Sequence, residues 1–346
     1  MQSKLQIRLV GSEFERIANT TETQTGMQSN LQIPPKGSEF ERINNTTEIQ
    51  TAMQSKLQIR LMGSEFELIA NTTETQLQSA VQEIQRIETL LTEFNDTSIT
   101  ARINTNAGVY PVKVPTEVFQ LIQRCLHLSK ITQGAFDITS GALKRLWKFK
   151  ERGFHWPLPA EITSALANTG YQHIQLNNQS VFLSKKGMAI GFGAIGKGYA
   201  ADRAKALLIA NGVSSGVINA SGDLSAWGPE PWKVGIAHPD KKSEMLCWLP
   251  VKNAAVATSG NYEQYVEKDG IRYSHNIDPR KGLPVPYIKS VTVISPSAEL
   301  SDALATAVTV MGPQTGIDLV NQLPDVHCIL IDEDNKMYRS DKIKMN

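Results

Sequence analysis

From residue 57 onward, apolar positions fall into short stretches and into longer stretches of helical spacing. Residues 57–62 and 66–70 read as strands around Gly63-Ser64. Leu77, Val81, Ile84, Ile87, Leu91 and Phe94 recur at helical spacing, and Thr73 with Gln76 forms a capping box ahead of them. A second helix is predicted over 116–130, on Val118, Leu121, Ile122, Cys125 and Leu126, with short helices at 160–169 and 198–211. Strands are predicted at 173–176, 180–183, 188–192, 214–220, 232–237, 245–251, 255–259, 289–295 and 327–331. Residues 146–159, rich in aromatics and prolines, read as a loop between two lobes. Strands do not alternate strictly with helices. The expected class is therefore α+β, with mixed β-sheets and helices packed on them, rather than a doubly wound parallel sheet.

The pattern ahead of residue 57 is a repeat. Met1-Gln-Ser-Lys-Leu-Gln-Ile returns at Met27 and Met53, a period of 26 residues; copies one and three agree at 22 of 26 positions, copies one and two at 19. A solenoid needs more copies and a cap, and nothing similar follows Gln78. Copy two carries Pro34-Pro35-Lys36 where the others read as a strand, which removes ladder donors. Only copy three runs into a helical pattern. Residues 1–52 are therefore expected to be a peripheral appendage, loosely ordered or weakly paired at a sheet edge, with residues 53–346 as the functional domain. The alternative is that all three copies form a small sheet.

Composition narrows the classes. The hydrophobic fraction of 41% supports a sizeable core, and 35 basic against 34 acidic residues leave a net charge of +1. Such a balance lacks the long-range field of a nucleic-acid binder. Cys125, Cys247 and Cys328 are odd in number and far apart, so neither a disulfide framework nor a zinc site is expected. No apolar run has the length of a membrane span, and the first residues lack a signal-peptide core. A cytoplasmic location is the expectation.

Five stretches carry candidate chemistry. Gly134-Ala135-Phe136-Asp137-Ile138-Thr139 joins a Gly turn to an acid and reads by itself as a binding loop or a plain loop closure. Gly191-Phe192-Gly193-Ala194-Ile195-Gly196-Lys197-Gly198 reads as a Gly-rich turn between a strand and a helix. Backbone N–H groups and a lysine there suit phosphate oxygens, while a merely tight turn has the same composition. A dinucleotide fingerprint is disfavoured because no acid ends a second strand downstream, and a P-loop because Gly198 stands where Ser or Thr would hold the metal. Asn219-Ala220-Ser221-Gly222-Asp223 ends a strand with small residues and an acid. Thr258-Ser259-Gly260-Asn261-Tyr262 precedes Ser274-His275-Asn276-Ile277-Asp278-Pro279, where His275 serves either as a turn prop or as a group that deprotonates a hydroxyl. Finally, Asp302 and Thr306 are four apart and share one face of a helix. Carboxylate and hydroxyl oxygens suit a hard cation such as Mg²⁺; the alternative is a helix-start acid and a packed small residue.

Taken in order, these stretches resemble the FAD:protein FMN transferase family, the ApbE-like flavin transferases. The matching segments are Leu61-Met-Gly-Ser, Arg86-Ile-Glu-Thr-Leu-Leu, Gly134-Ala-Phe-Asp-Ile-Thr, Gly193-Ala-Ile-Gly-Lys-Gly-Tyr, Asn219-Ala-Ser-Gly-Asp, Ala257-Thr-Ser-Gly-Asn-Tyr, Ser274-His-Asn-Ile-Asp-Pro-Arg-Lys-Gly and Ser301-Asp-Ala-Leu-Ala-Thr-Ala. The resemblance implies an ApbE-like fold with two lobes around a flavin-nucleotide cleft. It implies Mg²⁺-dependent transfer of FMN from FAD to a Thr or Ser hydroxyl of an acceptor protein, with release of AMP. By the same resemblance, Met62, Ala135, Phe136, Asp137, Lys197 and Ile277 are FAD contacts. Phe94 falls where members often carry a Tyr beside the flavin site, which makes it a further implied FAD contact. Asp302 and Thr306 are implied side-chain ligands of Mg²⁺, with the backbone oxygen of Ala194 as a third, and His275 is the pocket histidine. Two departures stand out: Gly191 replaces a frequent Asp, so one FAD contact is missing or supplied by water, and Asn261 replaces another Asp. Many members are exported lipoproteins; without an export signal this chain resembles the cytoplasmic subset. An FAD pyrophosphatase or a non-catalytic flavin binder would use the same site.

Overall fold

The computed structural model describes residues 7–9, 12–16, 54–147, 149, 154, 156–241, 244–260, 265–286 and 288–343. Strands β1 (Ile7–Leu9) and β2 (Ser12–Arg16) form a hairpin, and β3 (Gln54–Leu61) and β4 (Ser64–Asn71) form another. Helices α1 (Glu74–Leu91) and α2 (Ile99–Thr105), the short β5 (Val112–Lys113) and helices α3 (Thr116–Ile131), α4 (Gly141–Leu146) and α5 (Pro159–Ala167) follow. Next come β6 (Ile174–Asn177), β7 (Ser180–Leu183), helix α6 (Gly196–Ala210), β8 (Gly216–Ala220), β9 (Asp223–Trp227), β10 (Trp232–Ala237), β11 (Met245–Val251) and β12 (Ala255–Gly260). The chain ends through β13 (Tyr265–Lys268), β14 (Ile271–Asp278), β15 (Leu283–Pro286), β16 (Ile288–Ser295), α7 (Ala298–Met311), α8 (Pro313–Gln322), β17 (His327–Asp332) and β18 (Met337–Arg339).

Among the described residues the organising element is an eight-stranded sheet in the order β18-β17-β16-β12-β9-β8-β4-β3. Its neighbours are all antiparallel, where mixed sheets were expected. The connections explain this: β16 reaches β17 through two helices, and β9 reaches β12 through the β10–β11 pair. Two intervening elements return the chain to the end it left, so the next strand runs the other way.

Both faces of this sheet are covered. Phe66, Leu68 and Ile218 pack with Leu77, Ile84 and the alanines of α6 and α7, whereas Ile69, Val217 and Leu224 pack against Trp232 and Val234 of β10. Burial on both sides accounts for the unbroken apolar run Leu68-Ile69-Ala70, which strict alternation would forbid.

Two sequence expectations are corrected. The helical pattern that included Phe94 stops at Leu91, because Thr92 takes an extended ψ of 139°. The helix-end carbonyls are taken by side chains instead, Thr100 Oγ1 donating to Leu91 O at 2.9 Å and Ser98 Oγ to Thr92 O at 2.5 Å. Residues 188–192 form no strand. The Asn104 amide bonds both the N–H and the C=O of Ile190, at 2.8 and 2.9 Å, and Gly191 N donates to Ile138 O at 2.9 Å. A side chain thus satisfies backbone groups that a ladder would have used.

The repeat appears in the backbone as well. The β1–β2 register of Ile7↔Phe14, Arg8↔Glu13 and Leu9↔Ser12 is the same, repeat position for repeat position, as Ile59↔Phe66, Arg60↔Glu65 and Leu61↔Ser64 in β3–β4. The first hairpin pairs through β2 with β10, extending the small β1-β2-β10-β11 sheet. The rest of residues 1–52 lies outside the described residues, as does Asn261.

Candidate active site

Six segments meet at a cavity of about 350 Å³: the loop after α3, helix α4, the turn into α6, the start of β9, the β12–β14 region and helix α7. Ala135, Phe136, Asp137, Ala194, Lys197, His275, Ile277, Asp302 and Thr306 all line it. Met62 and Phe94 instead line an adjoining cavity of about 280 Å³ that shares Gly193 and Lys197 with the first.

Local structure explains each placement. Asp137 Oδ1 accepts from Thr139 N and Thr139 Oγ1 at 2.8 and 2.7 Å, and its Oδ2 accepts from Tyr171 N at 2.8 Å. Burial raises its carboxyl above the ordinary range, and these hydrogen bonds oppose the shift. Asp137 therefore fastens its own loop as well as facing the cavity. Phe136, an expected FAD contact, lines the cavity but is only 1% exposed, so most of its ring packs into the core. Phe94, by contrast, is 91% exposed beside the adjoining cavity.

Tight turns present two further groups. Met62 and Gly63 have φ of 51° and 71°, and register Leu61↔Ser64 makes them a two-residue hairpin loop with Met62 at its tip. Met62 N donates to Glu88 Oε1 at 2.7 Å. Ser221 and Gly222, at φ 52° and 105°, form the same kind of loop between β8 and β9 and set Asp223 at the start of β9. His275 lies in β14 where pairing with β15 skips from Tyr273 to Ile277. A ladder irregularity of this kind re-aims side chains next to a site.

The electrostatic centre is Lys197. Its ammonium bonds Asp223 Oδ2, and Asp302 lies on the same cavity. Burial works against the lysine charge, yet the fields of Asp223 and then Asp302 push its pKa above the usual lysine value. Burial raises Asp223, opposed by Lys197. Burial and the neighbouring Asp223 push Asp302 up to about 7, against Lys197, the Gly198 amide and Lys144. Gly198 N donates to Asp302 Oδ2 at 3.2 Å. A Cβ at Gly198 would lie 2.1 Å from Ala298 O, so glycine here lets α6 touch α7. That contact occupies the place where a P-loop would carry a hydroxyl.

Ala194, Asp302 and Thr306 line one cavity, and a buried carboxylate that resists ionisation beside a like charge is one that a cation would stabilise. The donor set therefore fits a hard cation. Among the described residues, no group of three His, Cys, Asp or Glu side chains forms a softer metal site.

Gly191 acquires a physical reading. A Cβ there would lie 2.9 Å from Glu93 Oε1, so the Glu93 carboxylate already fills the space where a side chain would begin. Three participants have no assigned role in the sequence pattern: Asp223, which closes the Asn219-Ala-Ser-Gly-Asp segment at a strand end, Glu93 and Lys144.

The model of the ApbE family matches residues 53–330. The chain belongs to the ApbE family. An FAD:protein FMN transferase of Klebsiella pneumoniae (strain 342) is 37% identical over 254 residues, 72% of this chain and 80% of that protein. Its counterpart in Treponema pallidum is 30% identical over 290 residues, 77% of this chain and 80% of that one. The crystal structure of the ApbE protein of Thermotoga maritima superposes with a TM-score of 0.76 at 30% identity, covering 84% of this chain and 97% of that one. The apo flavinyl transferase ApbE of Pseudomonas stutzeri gives 0.74 at 27%, covering 83% and 94%. The ApbE match begins at the third copy of the repeat, whose hairpin tip carries Met62.

Proposed function

We propose that this ApbE chain transfers the FMN moiety of FAD to a threonine or serine hydroxyl of an acceptor protein, releasing AMP. The observation that carries the reading is the convergence of Lys197, His275 and the oxygen trio of Ala194, Asp302 and Thr306 on one cavity. Residues 53–346 form the transferase domain, with residues 1–52 an appendage to it.

The chemistry follows from the residues. The hydroxyl oxygen of the acceptor attacks the FMN-side phosphorus, the bond to the bridging oxygen breaks, and AMP leaves with the electron pair. His275 takes the hydroxyl proton, the part of a general base. Lys197, held charged by Asp223, stabilises negative charge on the phosphoryl oxygens. Ala194, Asp302 and Thr306 would hold Mg²⁺, which when bound neutralises charge shared by the two phosphates. Met62 and Phe94 border the adjoining cavity and contact a planar ring of FAD; Ala135, Phe136, Asp137 and Ile277 complete the wall. The nucleophile comes from the acceptor, so the chain needs none of its own. Among the described residues no helix is long and apolar enough to cross a membrane.

Incubation with FAD, Mg²⁺ and a candidate acceptor, followed by in-gel flavin fluorescence, tests the proposal. A fluorescent acceptor band is expected. Free FMN and AMP in its place would make the chain an FAD pyrophosphatase, and intact bound FAD would make it a flavin-binding protein.

A further inference from the structure

Asp223 offsets part of the charge of Lys197, so a dinucleotide diphosphate would gain from a further cation. The cavity holds a second ammonium. Lys144, on the exposed side of α4, lines the same cavity and lies beside the Gly-rich turn: a Cβ built on Gly193 would be 3.5 Å from Lys144 Nζ. Among the described residues its ammonium makes no hydrogen bond or ion pair. Gly193 precedes Ala194, so Lys144 and the oxygen trio flank one stretch of backbone whose missing side chain leaves room for a ligand between them.

We propose that Lys144 is a further diphosphate-binding cation of this site, beside Lys197 and the metal, and that it separates FAD from flavins lacking a diphosphate. The inference rests on the flavin-transferase reading and adds a residue to it. Three acids border the cavity, Asp137, Asp223 and Asp302, against Lys197 and Lys144. An anionic ligand gains most from the cation whose charge is not already matched, and a charge-assisted hydrogen bond to phosphate is the form that gain takes. The Lys144 side chain is exposed, so its free ammonium keeps its hydration until a ligand displaces it.

The test compares wild type, Lys144→Met and Lys144→Arg for binding of FAD, ADP and riboflavin by equilibrium titration, with melting temperature as a control of folding. Lys144→Met should weaken FAD and ADP roughly tenfold to a hundredfold, leave riboflavin unchanged, and flatten the salt dependence of FAD binding. Lys144→Arg should restore most of the affinity. Unchanged FAD and ADP affinity in Lys144→Met, in a protein whose wild type yields protein-linked flavin, overturns the assignment and leaves the transferase reading intact. Equal weakening of riboflavin also overturns it, since that marks a general disturbance of the pocket. Selective loss of ADP binding in a chain that transfers no flavin supports Lys144 and sinks the transferase reading instead.

Discussion

Lys197 and Asp223 reach each other across the cavity floor, one from the first turn of α6 and the other from the first position of β9. Their bond explains how a lysine largely removed from water stays charged, and it ties the Gly-rich turn to the central sheet. Breaking such a pair from one side is costly because the remaining charge stays buried. Asp223→Ala should therefore destabilise the fold by roughly 3–5 kcal/mol in denaturant unfolding. The double variant Lys197→Met with Asp223→Leu should recover most of that stability and no transfer. An Asp223→Ala protein as stable as wild type would mean that the pair is not holding the floor together.

Asp302 is expected to be dispensable for folding and required for turnover. Burial beside Asp223 opposes its charge, so Asp302→Asn in the presence of chelator should be at least as stable as wild type. Mg²⁺ should raise the melting temperature of wild type by mass action and leave that of the variant unchanged. Transfer by Asp302→Ala should vanish. Full activity of that variant, or of wild type in excess chelator, would remove the metal from this site.

His275→Ala should slow single-turnover transfer roughly 10²–10⁴-fold while FAD still binds, the loss expected for a general base. A histidine that only props the β14 irregularity would instead lose stability and FAD affinity together. Unchanged transfer at saturating FAD would exclude His275 from the chemistry.

The duplicated hairpin gives a prediction about which copy belongs to the core. Leu68 is fully buried in β4, whereas the matching positions of copies one and two carry Arg16 and Arg42. Leu68→Arg should cost about 3 kcal/mol or more, because a guanidinium would enter the core unpaired. A chain beginning at Met53 should melt and turn over like the full chain. A large fall in its melting temperature or FAD affinity would show that the β2–β10 pairing contributes to the transferase fold.

The local elements were legible because their causes are local. Helical spacing from Leu77 to Leu91 and the Thr73 cap lie within α1, where Thr73 Oγ1 accepts from Gln76 N at 3.4 Å. The expected capping box closed only halfway, since the Gln76 side chain turned to Thr72 and to Asn211 O, 135 positions on. The strand predicted at 188–192 failed for the same kind of reason: the groups that satisfy Ile190 come from Asn104, 86 residues earlier.

The candidate site divides along the same line. Motif types and their order in the chain singled out Asp302, Thr306, Lys197 and His275, and the structure brings all four to the lining of one cavity. That Lys197 is already matched by Asp223, that Glu93 fills the space at Gly191, and that Lys144 stands unmatched beside Gly193 are facts of distance between segments remote in sequence. The sequence by itself determined the α+β pattern, the repeat and the residue types available for chemistry. Which charges are neutralised and which remain for a ligand was decided only when the sheet and its helices brought those segments together, since electrostatic interaction depends on separation and burial rather than on position along the chain.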